Sequence, residues 1–175
     1  MKTMKITIVS FIMLLMVNVQ GQNSLPDLAI NSNTYHTAVG LRGGETSGLT
    51  IKQFVGGTNA IEGIIGLWHH GVSATVLFEK HQSAFNVSGL NWYYGAGGHA
   101  SIASRYAYYD PYRDRYRKYY EGSVGLGVDG IVGIEYKIPK APIALSFDVK
   151  PFVEVVSRGY IYSSLDPGLG IKITF

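Results

Sequence analysis

The sequence predicts an all-β protein, an eight-stranded antiparallel up-and-down transmembrane β-barrel that follows a cleaved signal peptide. Three observations support this prediction. The chain begins with a secretory signal, its later segments alternate apolar and polar residues with a period of two, and none of those segments is long and apolar enough for a membrane-spanning helix. Because lipid offers no partners to unpaired backbone groups, such a chain can cross a membrane only as a closed barrel.

The N-terminal segment has the three parts of a signal peptide. Lys2 and Lys5 make a positive start, residues 6–19 are almost wholly apolar, and Gly21 provides a small residue at a cleavage site. The apolar run is short for a membrane anchor, which needs about 20 residues. The sequence therefore predicts a signal peptide, a flexible lead-in and a barrel, at residues 1–21, 22–34 and 35–175.

The composition excludes several classes of protein. The chain has 15 basic and 12 acidic residues, and removal of the two lysines of the signal peptide leaves 13 basic residues. The mature protein is therefore close to neutral, and its charge gives no support for nucleic-acid binding. Because the chain has no cysteine, it has no disulfide framework, no thiolate metal site and no lipidated cysteine.

Eight segments have the alternation of β-strands, and glycines or prolines separate them. Gly56-Gly57 provides one turn, and Pro139 and Pro142 bracket another. The last strand alternates most clearly, with Leu, Ile or Phe at every odd position from 169 and Gly, Lys or Thr between them. In chain order the predicted strands are residues 35–42, 49–55, 60–68, 72–82, 90–102, 123–138, 143–156 and 168–175.

The polar face of these strands carries nearly balanced charges. Alternation alone does not decide orientation, because a soluble lipocalin-like barrel puts its apolar face inside and a membrane barrel puts it toward lipid. Five basic and six acidic residues with three histidines suit a closed interior where charges pair, and the glycines between them make room for larger groups. The predicted interior network is His36, Arg42, Lys52, Glu62, Glu79, His81, His99, Asp129, Glu135, Lys137, Asp148, Lys150, Glu154 and Lys172.

Aromatic residues and loop lengths also favour lipid outside. Aromatic girdles mark the edges of membrane barrels, and short periplasmic turns oppose longer external loops. The links on the side of the termini are all short, whereas residues 103–122 and 157–167 form two long links on the opposite side. The expected girdle residues, near predicted strand ends, are Tyr35, Trp68, Trp92, Tyr94, Tyr136 and Phe175.

The chain resembles the small eight-stranded outer-membrane barrels of the OmpA/OmpX-like superfamily over roughly residues 35–175. The terminal Gly-Ile-Lys-Ile-Thr-Phe, at 170–175, is the most specific element, and segments 35–42 and 127–136 also look like strands of that family. The resemblance implies the outer membrane of a Gram-negative bacterium, contact with its lipid and lipopolysaccharide, and handling by the barrel-assembly machinery. Because we expect no appended peptidoglycan-binding domain, the larger OmpA plan is not matched. The superfamily includes adhesins, structural proteins and a few lipid enzymes, so the resemblance leaves function open.

One predicted external loop is rich in tyrosine and basic residues. Tyr and Arg are over-represented at binding hot spots, and Arg and Lys bind phosphate groups such as those of lipopolysaccharide. An extracellular protein or glycan is a further possible partner. The alternative is a plain hairpin turning at Asp110-Pro111 with cross-strand Tyr pairs, and we weigh the two equally. The candidate binding residues are Arg105, Tyr106, Tyr108, Tyr109, Tyr112, Arg113, Arg115, Tyr116, Arg117, Lys118, Tyr119 and Tyr120.

The sequence predicts no catalytic, metal or cofactor site. Ser73, Ser101 and Ser146 share the polar face with histidines and carboxylates, but the chain has no Gly-x-Ser-x-Gly elbow. The three histidines of the polar face do not have a known ligand spacing. We therefore expect a non-enzymatic barrel with a plugged interior and a structural or surface-binding role. Two alternatives stay open: a soluble periplasmic or secreted lipocalin-like barrel for a small apolar ligand, and an outer-membrane lipid-modifying enzyme.

Overall fold

The computed structural model describes most of the chain from Tyr35 onward. The predicted signal peptide and lead-in, at residues 1–34, lie outside the described residues. All regular structure in the described part is β-strand, and no described segment is a helix that could span a membrane. The described ranges are residues 35–68, 71–103, 106–110, 115–119, 123–157 and 160–175.

Eight strands form a closed antiparallel barrel, and two shorter strands form a separate sheet. The barrel order is β1-β10-β9-β8-β5-β4-β3-β2, so each barrel strand pairs with the next barrel strand along the chain and β1 closes on β10. The prediction of an eight-stranded antiparallel up-and-down barrel is confirmed. The strands are β1 (Thr37–Gly44), β2 (Thr46–Gly56), β3 (Asn59–Trp68), β4 (Gly71–Ser83), β5 (Leu90–Ala103), β6 (Tyr106–Asp110), β7 (Arg115–Tyr119), β8 (Ser123–Lys137), β9 (Ile143–Val156) and β10 (Tyr160–Thr174).

Strand β10 is the largest departure from the predicted boundaries. It begins at Tyr160 rather than at residue 168, so the predicted long loop at 157–167 is wrong and the link between β9 and β10 is residues 157–159. Pro167 is tolerated inside this strand for a geometric reason. The carbonyl of Pro167 points toward Gly44 of β1. Because the nitrogen and the carbonyl of one residue face the same neighbouring strand, the Pro167 nitrogen also faces β1. Pairing between β1 and β10 ends at Gly44 and Gly168, so no β1 residue lies opposite Pro167. The missing N–H therefore removes no hydrogen bond to β9.

The two ends of the barrel have different connections. The end that holds Tyr35 and Phe175, here called the termini end, has short links at residues 57–58, 84–89 and 138–142. The opposite end, here called the hairpin end, carries the β6–β7 hairpin, which is inserted between β5 and β8. The predicted asymmetry therefore depends on this insertion and not on two long loops.

The alternation places the apolar face outside and the polar face inside. Leu41, Ile65 and Leu169 are more than half exposed on the outer face. Among the outward-facing positions of the barrel strands in the described residues, Lys80 is the one that carries a charge. The inward positions hold charged, hydroxyl and glycine residues instead. The barrel is thus inverted relative to a soluble protein, which buries its apolar residues.

Outward aromatic residues collect at the termini end. Trp92, Tyr94 and Tyr136 lie on the outer face there with Phe175, which is 71% exposed. Two of the expected girdle residues are not on that face. Tyr35 is buried inside the barrel and bonded to Glu135, and Trp68 packs against inward aromatic rings. The hairpin half of the barrel strands has no outward aromatic residue among those whose side chains the structure describes.

Candidate functional site

The interior charges form two clusters, of which the first surrounds Lys52 near the termini end. The Lys52 ammonium lies 2.8 Å from Glu79 Oε2, 2.9 Å from Glu62 Oε2 and 3.4 Å from Glu135 Oε2. Lys172 adds a second ammonium, 2.8 Å from Glu62 Oε1. Alternating inward positions on β2, β3, β4, β8 and β10 bring these groups together. Two ammonium groups thus lie among three buried carboxylates. Burial of these carboxylates without the two cations would be strongly unfavourable.

Hydroxyl and aromatic groups complete the Lys52 cluster. Tyr35 donates a hydrogen bond to Glu135, and Thr50 donates one to Glu62. Lys52 Nζ lies 4.2 Å above the centre of the Tyr93 ring, which attracts the cation. The His81 ring stacks on that of Tyr93, with the two ring centres 4.9 Å apart. The cluster is therefore enclosed by rings and has little freedom to rearrange.

The second cluster surrounds Arg42 and Lys150, nearer the hairpin end. Arg42 lies 2.7 Å from Asp148 and 3.1 Å from Asp166, and it also donates to the backbone carbonyls of Thr46 and Asp166. Lys150 lies 2.9 Å from Asp129 and 3.4 Å from Asp166. The planar guanidinium is suited to bridging two carboxylates in this way.

His99 is held between two carboxylates of the second cluster. Its Nδ1 lies 2.7 Å from Asp129 Oδ2, and its Nε2 lies 3.0 Å from Glu154 Oε2. Ser101 donates a further hydrogen bond of 2.6 Å to the same Glu154 oxygen. Because both ring nitrogens face carboxylate oxygens, this geometry requires an imidazolium that donates from both. His99 is therefore a third cation in the cluster.

Inward glycines give the large polar side chains their space. A Cβ at Gly133 would lie 2.6 Å from Cζ and 2.8 Å from the hydroxyl of Tyr93. A Cβ at Gly127 would collide with the His99 ring, and one at Gly168 would collide with the Arg42 guanidinium. The expectation that glycines make room in a narrow eight-stranded interior is confirmed at these positions.

Aromatic groups pack together inside the barrel near both ends. At the hairpin end, the rings of Trp68, Phe152 and Tyr162 pack together with centroids 5.6 to 5.9 Å apart. At the termini end, Tyr35 and Phe54 meet edge to face at 5.2 Å. Buried charged side chains occupy the space inside the barrel wall, so the described interior is filled rather than open.

The structure places most of the predicted network inside and corrects two members. His36 is exposed, because its amide and that of Thr37 both donate to the Phe175 carbonyl and this irregularity shifts the alternation before β1. Tyr35 takes the inward place. Lys137 is half-buried, and its ammonium binds the turn carbonyls of Ile138 and Ala141 instead of a carboxylate. The buried members are Arg42, Lys52, Glu62, Glu79, His81, His99, Asp129, Glu135, Asp148, Lys150, Glu154 and Lys172.

Three members of the interior network are missing from the sequence prediction. Asp166 binds both Arg42 and Lys150, but its place before Pro167 resembles a loop. Tyr93 lies between two other aromatic residues, so the sequence does not show an alternation that would place it inside. Tyr35 faces inward because of the irregularity at His36. Extending the alternation of β10 back from Gly168 would have found Asp166.

The interior lacks the geometry of a hydrolase or a metal centre in the part of the chain that is described. Ser101 donates to Glu154 rather than to His99, and neither Ser73 nor Ser146 is bonded to a histidine. No three metal-ligating side chains among the described residues come together as a metal site. His36, on the outside, is separated from the two inward histidines.

The β6–β7 hairpin carries much of the candidate surface-binding loop. Its register pairs Tyr106 with Tyr119 and Tyr109 with Tyr116, so the hairpin interpretation and its cross-strand Tyr pairs are confirmed at the level of the backbone. The binding interpretation stays a prediction. The candidate residues on these strands are Tyr106, Tyr108, Tyr109, Arg115, Tyr116, Arg117, Lys118 and Tyr119. Those outside the described residues are Arg105, Tyr112, Arg113 and Tyr120.

Comparisons of the chain with protein-family models, with curated proteins and with solved structures find no match.

Proposed function

We propose that this chain is a non-enzymatic, lipid-embedded barrel of a Gram-negative outer membrane, related to the OmpA/OmpX-like barrels, with a structural role in the envelope. The observation that carries the proposal is the distribution of charge across the barrel wall. The described outward strand positions bear one charge, at Lys80, whereas the inward positions bear many. Lipid tolerates an uncharged outer face, and a charge at the bilayer midplane costs about 2–4 kcal/mol.

The interior argues against a soluble carrier of apolar ligands. A lipocalin-like barrel binds its ligand in an apolar cavity, but here ion pairs such as Arg42–Asp148 and Lys52–Glu79 fill that space. In water, the apolar outer face would also be a large exposed patch, which monomeric soluble proteins avoid. A membrane location accounts for both faces of the wall.

The interior also argues against a lipid-modifying enzyme. The inward histidines bind carboxylates, and both histidine side chains are buried. A covalent mechanism needs a nucleophile within reach of a base and of its substrate. A role that uses the barrel wall and its external hairpin needs neither.

Membrane fractionation tests the proposed location. We expect the exported chain in the outer-membrane fraction, resistant to high salt and to alkaline carbonate but extracted by detergent. A soluble periplasmic protein expressed in the same cells is the control. Recovery of the folded chain in the soluble fraction without detergent would contradict the proposal.

We further propose that the β6–β7 hairpin is a surface-binding element that contacts phosphate groups of lipopolysaccharide. Its support is the concentration of basic residues in and beside the hairpin, among them Arg115, Arg117 and Lys118 on β7. Protease added to intact cells should cut within residues 113–118. Deletion of residues 105–120 should lower binding of purified lipopolysaccharide to the reconstituted chain while the barrel stays folded. Equal binding by the deletion variant would exclude this role.

A further inference from the structure

We propose that Lys80, Trp92 and Tyr94 form a binding site for the headgroup of an anionic phospholipid on the outer face of the barrel. The inference rests on the proposed function, because the site requires that this face contacts lipid. Lys80 lies on β4, three residues before its end at Ser83, and its side chain is exposed. The site is thus at the termini end.

Lys80 is a charged residue on an outer face that is otherwise uncharged in the described strands. It pairs with Asn59, the first residue of β3 after the turn at residues 57–58, so it stands close to the rim. Its ammonium has no ion pair within the described residues. A lysine is costly in the centre of a bilayer, but near the edge its flexible stem lets the ammonium reach the headgroups.

Two aromatic residues stand beside Lys80 on the same outer face. Tyr94 is its register partner on β5, and Trp92 pairs with Gln82 one step nearer the rim. Their rings stack with centroids 5.2 Å apart and planes 26° apart. Trp and Tyr favour the headgroup level because their rings are apolar and their N–H or O–H is polar. An ammonium beside such donors has the chemistry to bind phosphate oxygens.

The connections at the two ends of the barrel point to a phospholipid rather than to lipopolysaccharide as the ligand. Phe78, Tyr136 and Phe147 lie on the outer face in the same half of the barrel, whereas the hairpin half has no outward aromatic residue among the described side chains. Outer-membrane barrels carry their long connections on the external side, and the longest link here, residues 104–122 with the β6–β7 hairpin, is at the opposite end. In that orientation the Lys80 site meets the leaflet made of phospholipid.

Quenching of Trp92 by brominated lipids tests the site. The chain has two tryptophans, so Trp68→Phe leaves Trp92 as the one that fluoresces. The full chain carrying this change is reconstituted in phosphatidylcholine vesicles that contain brominated phosphatidylglycerol or brominated phosphatidylcholine at the same mole fraction. From the quenching of Trp92 we expect the anionic lipid to be enriched about fivefold over phosphatidylcholine, which is the effect of one lysine near the membrane surface. Lys80→Gln should remove this preference.

A second lysine provides the matched control. Lys140 is exposed in the turn between β8 and β9 at the same end of the barrel, so Lys140→Gln removes the same charge without touching the site. Retained preference in that variant and lost preference in Lys80→Gln would support the site. Equal preference in wild type and Lys80→Gln, or equal loss in both variants, would overturn it. If neither brominated lipid quenched Trp92 in the folded chain, the membrane location itself would be wrong.

Discussion

At the scale of single residues, shared cations hold the interior together. Lys52 contacts three carboxylates and Lys150 contacts two, while Arg42 bridges Asp148 and Asp166. Burying a charge is costly, and removal of one partner leaves an uncompensated charge that costs more than the pair gains. Each cluster therefore depends on its shared cations, because Glu62 and Asp166 each contact two of them.

We expect Lys52→Met to lower the free energy of unfolding by about 3–5 kcal/mol, because it leaves Glu62, Glu79 and Glu135 with less positive charge between them. Urea unfolding of the reconstituted barrel measures this change. Lys140→Met, in an exposed turn, is the control and should change stability by about 0.5 kcal/mol or less. A loss below 1 kcal/mol in Lys52→Met, of the order of the control, would show that the cluster stabilises little.

At the scale of strands, one face of each strand contacts the interior and the other contacts the surroundings. Strand β10 shows both, with Leu169 and Ile171 outside and Asp166 and Lys172 inside. Its alternation continues through Pro167 because the proline nitrogen faces the side where pairing with β1 has ended. Local turn preference predicts a loop there, but the pairing of β10 with β9 outweighs it.

Leu169→Arg tests which medium the outer face of β10 contacts. Leu169 is 66% exposed and lies opposite Gly43 of β1 and Phe147 of β9. In lipid vesicles we expect Leu169→Arg to lower the free energy of unfolding by about 2–4 kcal/mol, because the charge enters the hydrocarbon layer. The control is Val87→Arg, in the turn between β4 and β5, which should lower the free energy of unfolding by about 0–1 kcal/mol. Urea titration compares the two, and equal costs would contradict a lipid-facing outer surface.

At the scale of the whole molecule, the barrel is a closed wall around a filled interior. The Trp68, Phe152 and Tyr162 rings pack near one end, Tyr35 and Phe54 pack near the other, and buried ion pairs fill the interior. An eight-stranded barrel has room for side chains but not for an additional water-filled channel. A filled interior of this kind is the basis of the proposed structural role.

We expect the reconstituted chain to give no steady conductance steps in planar lipid bilayers, because paired side chains occupy its interior. A larger channel-forming barrel in the same bilayers provides the positive control. Insertion is verified in parallel by protection of the barrel from added protease. Large, stable and reproducible conductance from the protected chain would show that the interior opens.

The sequence by itself determined the number of barrel strands and the two chemical faces of each. These follow from local geometry, because successive side chains of any strand point to opposite sides. Seven of the eight predicted barrel strands match the observed ones to within about three residues at each end, which is the usual accuracy for boundaries.

Only the tertiary structure decided which charges meet and where the alternation shifts. The partners of Arg42, at Asp148 and Asp166, are more than one hundred residues away, and closure of the barrel brings them together. The inward turn of Tyr35 depends on the Phe175 carbonyl, which accepts the amides of His36 and Thr37. Local sequence carries no record of such contacts, because they exist only once the first strand pairs with the last.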